Sequence, residues 1–106
     1  MAQRVFFLNK LREGIDPADY ERFVREVDYP FARRLPTIRS YIVTRLDGLF
    51  DGGEAPYHYL EVVEITDLEA YRKSLDPSGN PEVQRFFDEW SSLVGESLAV
   101  YGEVIE

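Results

Sequence analysis

The sequence predicts an α+β fold, a ferredoxin-like plait in which four antiparallel strands carry helices on one face. The strand and helix patterns follow the order β-α-β-β-α-α-β, which is that of a split βαβ plait. The length of 106 residues, with 44% apolar and 30% charged residues, is typical of one globular domain. We therefore expect a single domain over residues 1–106.

A strand and a helix are predicted in the first third of the chain. Arg4–Leu11 is aromatic and β-branched, as strands commonly are. Asp16 and Pro17 are a favourable N-cap and first helical residue. Because proline lacks a backbone donor and restricts the residue before it, Pro30 predicts a break or kink with Tyr29 extended. The apolar residues at helical spacing are Tyr20, Phe23, Val24, Val27 and Phe31.

A hairpin with a long connection is predicted in the middle of the chain. Thr37–Leu46 and Tyr57–Ile65 both have the composition of strands. Alternation along the first of them predicts that Ile38 and Tyr41 lie on opposite faces of the sheet. Asp47–Pro56 is polar and rich in glycine, which predicts a loop that covers a pocket or reaches a partner subunit.

Two helices and a strand are predicted in the last third. Asp67–Leu75 follows Thr66, a suitable N-cap. Asn80, followed by a proline, opens a longer amphipathic helix, and Gly95 fits the cap at its C-terminus. Ser97–Ile105 is the predicted last strand.

The sheet face that the helices leave bare is predicted to be covered by a second copy of the chain. The strands are apolar on both faces, whereas a sheet face in contact with water is usually polar. We therefore expect a homodimer in which two sheets meet face to face.

Charge and residue inventory exclude several classes of function. A formal charge of −8 and a pI near 4.6 predict repulsion from phosphate backbones and anionic lipid, so we expect neither a nucleic-acid nor a membrane partner. With no cysteine and one histidine, disulfides and thiolate metal sites are excluded, and we expect no metal and no tightly bound cofactor. The sequence has no signal-peptide pattern and no apolar run of roughly 20 residues, so we expect a cytoplasmic location.

Three segments resemble the RedY-like/HapK family: Val5–Leu11, Arg25–Pro30 and Pro56–Glu64. The resemblance extends from about Arg4 to Glu106, and the Arg-Glu-Val-Asp-Tyr-Pro block is its most specific part. It implies a dimeric α/β barrel and a context in secondary-metabolite pathways such as those of prodigiosin-type pyrrole pigments. It also leads us to expect an acidic residue at position 58, where this chain has a histidine.

Asp28 and Tyr29 are the candidate catalytic residues, because they lie at the predicted helix break. A carboxyl beside a phenol in a partly apolar cleft has a raised pKa and can act as a general acid or base. The alternative is that Asp28 caps the turn that follows it. The sequence leaves both interpretations open.

Asn9, Tyr59 and Glu61 are candidate substrate-binding residues on two predicted strands. A carboxyl within an apolar strand face is rare unless it is paired or functional. The alternatives are that the backbone satisfies Asn9 at a strand end, and that Glu61 pairs with Arg39 or Arg45 across the strands.

Trp90 is the fourth candidate substrate-binding residue, and it lies in an apolar helical stripe that is also typical of core. His58 is either a proton shuttle or a partly exposed residue with an ordinary partner.

The predicted function is that of a small-molecule-binding protein or a cofactor-independent enzyme. Its ligand would be a small hydrophobic aromatic or pyrrole-type intermediate of secondary-metabolite biosynthesis, and its chemistry would be acid/base. One alternative is a non-catalytic carrier or a module that stabilises a partner. A second is a cofactor-free monooxygenase, which rests on fold analogy alone. Whether the protein is an enzyme is open from the sequence.

Overall fold

The computed structural model describes residues 2–106, in which nine helical and strand segments follow one another with short connections, apart from one long loop. In chain order these are β1 (Gln3–Leu11), α1 (Pro17–Phe23), a π-helical segment (Val24–Asp28), α2 (Tyr29–Arg33), β2 (Ile38–Arg45), β3 (Tyr59–Ile65), α3 (Leu68–Ser74), α4 (Pro81–Leu93) and β4 (Val94–Glu103). The strands form one antiparallel sheet in the order β2-β3-β1-β4. The predicted α+β, ferredoxin-like plait is confirmed.

Strand β1 lies in the middle of the sheet and pairs with both β3 and β4. Its alternation turns Val5 and Asn9 toward the helices, where both are buried. Tyr59 and Glu61 on β3 are buried on the same side. The register places Asn9 opposite Tyr59 in β3 and opposite Ser97 in β4. Polar side chains of three strands therefore meet beneath the helices.

The opposite face of the sheet is apolar and carries no helix. Its most exposed apolar side chains are Ile42, Leu98 and Val100, which are 60%, 46% and 47% exposed. They occupy the two outer strands, β2 and β4. An exposed apolar sheet face is typical of a surface that contacts another protein.

Of the predicted break or kink at Pro30, the break is wrong, because the helical path continues from Pro17 to Arg33. Tyr29 is helical rather than extended, with φ −60° and ψ −46°, and its N–H donates to the carbonyl of Val24, five residues back. This wider π turn precedes Pro30, which stands in the first turn of α2 where its missing N–H is tolerated. The proline thus marks a change of helical register.

A register shift in β2 corrects the predicted alternation. The pairing with β3 is irregular between Ile38 and Ser40. As a result Ile38 and Tyr41 lie on the same side of the sheet. Both pack against one cluster of buried residues, which is formed by Val5, Val63, Ile65 and Tyr71. The shift brings Ile38 to the face of Tyr41, and Tyr41 lies toward the helices and the candidate site because it pairs with the buried Val63.

Other differences concern the ends of elements. The cap of α3 is Asp67, whose side chain accepts from the N–H of Ala70, and not Thr66. The predicted Asn80 cap of α4 is confirmed, since its side chain accepts from the N–H of Val83. Gly95 caps no helix, because α4 passes directly into β4 at Val94.

Within residues 2–106, none of the helices combines the length and the apolar character needed to cross a bilayer.

Candidate functional site

A small apolar cavity of about 140 Å³ lies between the helices and the sheet. It is lined by Phe7, Asp28, Phe31, Ala32, Leu35, Ile38, Tyr41, Glu61, Tyr71, Leu75, Phe86, Phe87, Trp90, Ser97 and Ala99. Phe31 and Phe86 stack in this wall with ring centroids 4.2 Å apart and planes 7° apart. The cavity is open at β4, where Ser97 and Ala99 are exposed. Its wall is therefore aromatic, with a few polar groups grouped together.

The π turn positions Asp28 over the cavity. Asp28 is the last residue of the π-helical segment and is only 2% exposed. Its side chain makes no capping hydrogen bond to α2, so the interpretation of Asp28 as a helix cap is wrong. Instead its carboxyl lies against the Tyr41 side chain of β2. Since π turns are frequent at functional sites, this local irregularity is consistent with a role for Asp28.

Tyr41 joins two buried carboxyls. Its hydroxyl oxygen lies 2.6 Å from Asp28 Oδ2 and is also within hydrogen-bond distance of Glu61 Oε1. Glu61 is 6% exposed, and neither carboxyl forms an ion pair with a Lys or Arg side chain among residues 2–106. The expected alternative, a cross-strand pair of Glu61 with an arginine, is wrong.

Counting protons limits the net charge of this group. A phenol has one proton to donate, so the Tyr41 hydroxyl can supply only one of its two contacts. The other contact needs a proton on a carboxyl, because two unprotonated oxygens at hydrogen-bond distance repel each other. Asp28 and Glu61 therefore hold at least one proton between them and carry at most one negative charge.

The neighbours of Glu61 determine where that charge resides. Asn9 Nδ2 donates to Glu61 Oε2, and the Ser97 hydroxyl donates to Asn9 Oδ1 at 2.6 Å, which fixes the orientation of the amide. The Glu61 carboxyl thus accepts hydrogen bonds from both Asn9 and Tyr41. Within the described residues the Asp28 carboxyl has a hydrogen bond with Tyr41 only. Charged acceptors gain most from donated hydrogen bonds, so Glu61 is the anion and Asp28 keeps the proton.

Burial raises the pKa of both carboxyls. For Asp28, desolvation is the largest cause and the nearby charge of Glu61 adds to it, while the Tyr41 hydrogen bond opposes it, and the pKa is raised to about 8. For Glu61, desolvation raises the pKa, and the hydrogen bonds from Tyr41 and Asn9 lower it. At neutral pH the cavity therefore presents Asp28 as a neutral carboxylic acid, beside Glu61, whose pKa burial also raises.

Buried phenols surround the pair. Desolvation, followed by the charges of Glu61 and Asp28, raises the pKa of Tyr20, Tyr41 and Tyr71 well above its usual range, so all three stay neutral. The Tyr20 hydroxyl is buried without a hydrogen-bond partner among residues 2–106. These rings keep water away from the carboxyls and so strengthen their electrostatic interactions.

The expected site residues divide into two groups. Asp28, Glu61 and Trp90 line the cavity, and Asn9 contacts it through Glu61 and Ser97. The interpretation of Asn9 as a residue satisfied by backbone at a strand end is wrong, since its amide bonds two side chains.

Tyr29, Tyr59 and His58 do not line this cavity. The Tyr29 hydroxyl accepts from the N–H of Val43 at 3.0 Å, and the Tyr59 hydroxyl donates to Glu21 at 2.7 Å. His58 lies just before β3 and is exposed, with Nδ1 accepting from the N–H of Leu11. A catalytic role for Tyr29 and a substrate-binding role for Tyr59 gain no support from this arrangement.

Sequence reasoning missed Tyr41 and Ser97. Tyr41 alternates regularly with Val43 along β2, but the sequence does not tell which side chain of the distant π-helical segment this face of β2 meets. Ser97 stood at the predicted start of the last strand, three residues after the true start at Val94. Its pairing with Asn9 depends on the β1–β4 register, which the sequence alone does not give.

Comparison with known proteins assigns the family. The family model described as REDY-like protein HapK matches residues 3–105, nearly the whole chain. The chain belongs to the HapK family of REDY-like proteins. The resemblance seen in the sequence is thereby confirmed. No curated protein matches the chain.

Three solved structures illustrate the similarity. The chain is similar to HapK from Hahella chejuensis, with 26% identity, a TM-score of 0.75 and coverage of 97% of this chain and 92% of that one. It is similar in fold to a dimeric ferredoxin-like protein of unknown function from Thermobifida fusca (17% identity, TM-score 0.72, coverage 98% and 92%). It is likewise similar in fold to a DABB family protein from Mesorhizobium loti (17% identity, TM-score 0.73, coverage 99% and 98%).

Proposed function

We propose that this protein binds a small, flat, uncharged ring in the cavity and acts on it by acid/base chemistry, with Asp28 as the acid. The observation that carries the proposal is the contact of the Tyr41 hydroxyl with two buried carboxyls, Asp28 and Glu61, in an otherwise apolar cavity. Pairs of ionisable groups whose environments separate their pKa values are typical of catalytic acids and bases. Membership of the HapK family is compatible with a small-molecule ligand.

The size of the cavity limits the ligand. A dry protein cavity of about 150 Å³ holds one benzene molecule, which matches the volume of about 140 Å³ found here. Drug-sized ligands need about 300 Å³ or more. One five- or six-membered ring therefore fits, and any remainder of a larger molecule would extend past Ser97 and Ala99 at the open side.

The charge of the site favours a neutral ligand. Glu61 is an anion without a cationic partner within the described residues, so a second negative charge in the cavity would be repelled at low dielectric. The aromatic wall formed by α2 and α4 suits a flat ring. An aromatic or pyrrole-type intermediate of a secondary-metabolite pathway, such as a prodigiosin-like one, meets both requirements and stays our proposal for the ligand.

We also propose that the protein is a homodimer whose sheets meet face to face. The exposed apolar side chains Ile42, Leu98 and Val100 support this arrangement, since contact with a second copy would bury them. Solved relatives in fold from Thermobifida fusca and Bacteroides fragilis are described as dimeric. A cytoplasmic location stays a prediction of the sequence.

The fluorescence of Trp90 tests the binding part of the proposal, because it is the only tryptophan of the chain and lines the cavity. We expect phenol and pyrrole to change the emission saturably, and benzoate, which is similar in size to phenol but anionic, to have no effect. Equal binding of benzoate and phenol would contradict the proposed charge of the site.

Asp28→Asn separates catalysis from simple binding. The amide keeps the shape and the contact with Tyr41 but has no acidic proton to give. We expect ring affinity to be kept while turnover of the natural substrate falls by about 100-fold or more. Unchanged turnover would favour a ligand carrier in which the carboxyls only orient the ring.

A further inference from the structure

Asp28, Tyr41 and Glu61 form a row along the wall of the cavity, in which a phenol lies between two carboxyls. All three side chains line it, so both carboxyls can contact a bound ring. Because each carboxyl is hydrogen-bonded to the Tyr41 hydroxyl, Asp28 Oδ2 and Glu61 Oε1 lie at most about 5.5 Å apart. At that separation both carboxyls remain within hydrogen-bond reach, about 2.6–3.2 Å, of atoms in one ring.

The row has two protonation states of equal charge. In one, Asp28 is protonated and donates to Tyr41, which donates to Glu61. In the other, the protonated group is Glu61, and Tyr41 donates to Asp28. Transfer of two protons along the row converts one state into the other without any exchange with solvent. The network can therefore give a proton at one end and recover one at the other.

The cavity has room for one reactant. A volume of about 140 Å³ is filled by a single ring, so one reacting ring occupies the cavity at a time. Within residues 2–106 the Ser97 hydroxyl hydrogen-bonds Asn9 Oδ1 and neither a carboxylate nor an imidazole, and His58 lies outside the cavity lining. A reaction of one molecule, with no net gain or loss of protons, suits this arrangement best.

We propose that the site is an isomerase for a neutral five- or six-membered ring with an oxo or imino group, in which a proton moves between two ring atoms. Glu61 removes a proton from carbon next to the oxo or imino group, and that C–H bond breaks as a conjugated enolate-type or enamine-type system forms. Asp28 gives its proton to another atom of that system, where the new bond forms. Tyr41 then passes the proton from Glu61 to Asp28, and the product is an isomer of the substrate.

This inference rests on the proposed function, because the ring must first enter the cavity. It adds the class of reaction and a separate role for each carboxyl. It also assigns Tyr41 the transfer of the proton between them, which a residue that only supported the fold would not perform.

Cyclohex-3-en-1-one is a suitable probe, since its conversion to the conjugated cyclohex-2-en-1-one moves one proton from C2 to C4. We expect the wild-type protein to accelerate this conversion, measured by proton NMR. A single turnover in D₂O, with protein equilibrated in D₂O, should place deuterium at C4, because Asp28 supplies it. Protium at C4 would mean that one carboxylate moved the proton alone, and it would overturn the two-carboxyl relay.

Tyr41→Phe removes the connecting hydroxyl. We expect kcat for the probe to fall by about 100-fold while its affinity, measured by Trp90 fluorescence, changes less than about twofold. Tyr101→Phe is the matched control, since Tyr101 is a 58% exposed phenol of β4 outside the cavity lining, and it should behave like the wild type. Wild-type kcat in Tyr41→Phe would overturn the role of Tyr41. If Tyr41→Phe does not fold, the single turnover in D₂O still tests the separate roles of the two carboxyls, because protium at C4 would overturn them.

The two proposals fail in different ways. If the probe changes Trp90 fluorescence but its conversion is not accelerated, the isomerase proposal is overturned and ring binding stands. If neither the probe nor phenol changes the fluorescence, the proposed function fails, and the isomerase proposal fails with it.

Discussion

The Ser97 hydroxyl donates to Asn9 Oδ1 over 2.6 Å, from strand β4 to strand β1. This bond turns the Asn9 amide so that its nitrogen faces the carboxylate of Glu61. A residue at the open side of the cavity thus orients a fully buried amide, and the amide in turn favours the anionic form of Glu61. The relationship leads to the first prediction.

Asn9→Leu should destabilise the protein by about 1–3 kcal/mol, because it leaves a buried carboxylate oxygen without a donor. Ser97→Ala should cost less, about 0.5–1.5 kcal/mol, since Ser97 is exposed and water can replace its hydroxyl. Urea denaturation of both variants measures the difference. An equal cost for the two substitutions would contradict the proposed chain of hydrogen bonds.

Stability should depend on pH through Asp28. Its pKa is raised from 3.8 to about 8 by folding, so the folded state favours the protonated form. This contribution is fully present below about pH 4 and is lost as the pH rises through about 8. Relative to Asp28→Asn, which has no carboxyl to ionise at this position, the wild type should therefore lose stability over this range.

Thermal unfolding of the two proteins at several pH values measures this difference. Asp51→Asn in the exposed β2–β3 loop is the control, and its Tm should vary with pH as the Tm of the wild type does. If the Tm of wild type and of Asp28→Asn changed in parallel between about pH 4 and pH 8, the pKa of Asp28 would not be raised by folding.

Filling the open side of the cavity should prevent ligand entry. Ala99 is an exposed lining residue of β4, so Ala99→Phe places a ring at the opening with little effect on stability. Glu103→Phe is the control, because it lies on the same strand outside the lining. We expect Ala99→Phe to weaken phenol binding at least about tenfold, or about 1.4 kcal/mol, as measured by Trp90 fluorescence. Unchanged binding would place the ligand elsewhere.

A charge on the apolar sheet face should separate the proposed dimer. Leu98→Asp would place an unpaired carboxylate between the two sheets, where burial of a charge is costly. Ser92→Asp is the control, because Ser92 is an exposed residue of α4, and this variant should remain dimeric. Sedimentation velocity distinguishes the two states. A Leu98→Asp protein that is as dimeric as wild type would exclude this face as the interface.

The element order was predictable because strand composition, helical spacing and capping residues are local signals. Asn80 illustrates this, since its side chain caps α4 as predicted. Pro30 illustrates the limit, because the sequence indicates strain in the helix but does not say whether the helix breaks or widens into a π turn. The answer depends on the packing of Asp28 beneath it.

The candidate site was predictable only in part. Asp28 and Glu61 are unusual in apolar surroundings, and that signal is local. Their connection through Tyr41 depends on the register of β2 against β3 and on the packing of the π-helical segment, which both result from contacts between distant segments. Tyr29 was predicted as a catalytic residue because it follows Asp28 in the sequence. Successive residues of a helix point in different directions, however, and the Tyr29 hydroxyl instead accepts from the N–H of Val43.

The most direct test of the central claim is the protonation of the two carboxyls near neutral pH. Carbon-13 NMR of protein labelled at the aspartate and glutamate carboxyls measures it, with Asp28→Asn and Glu61→Gln to assign the two signals. We predict a protonated Asp28 and an ionised Glu61 at pH 6 to 7, with Asp28 losing its proton near pH 8. Two ionised carboxyls at pH 6 would contradict the shared proton and, with it, the acid/base role proposed for this site.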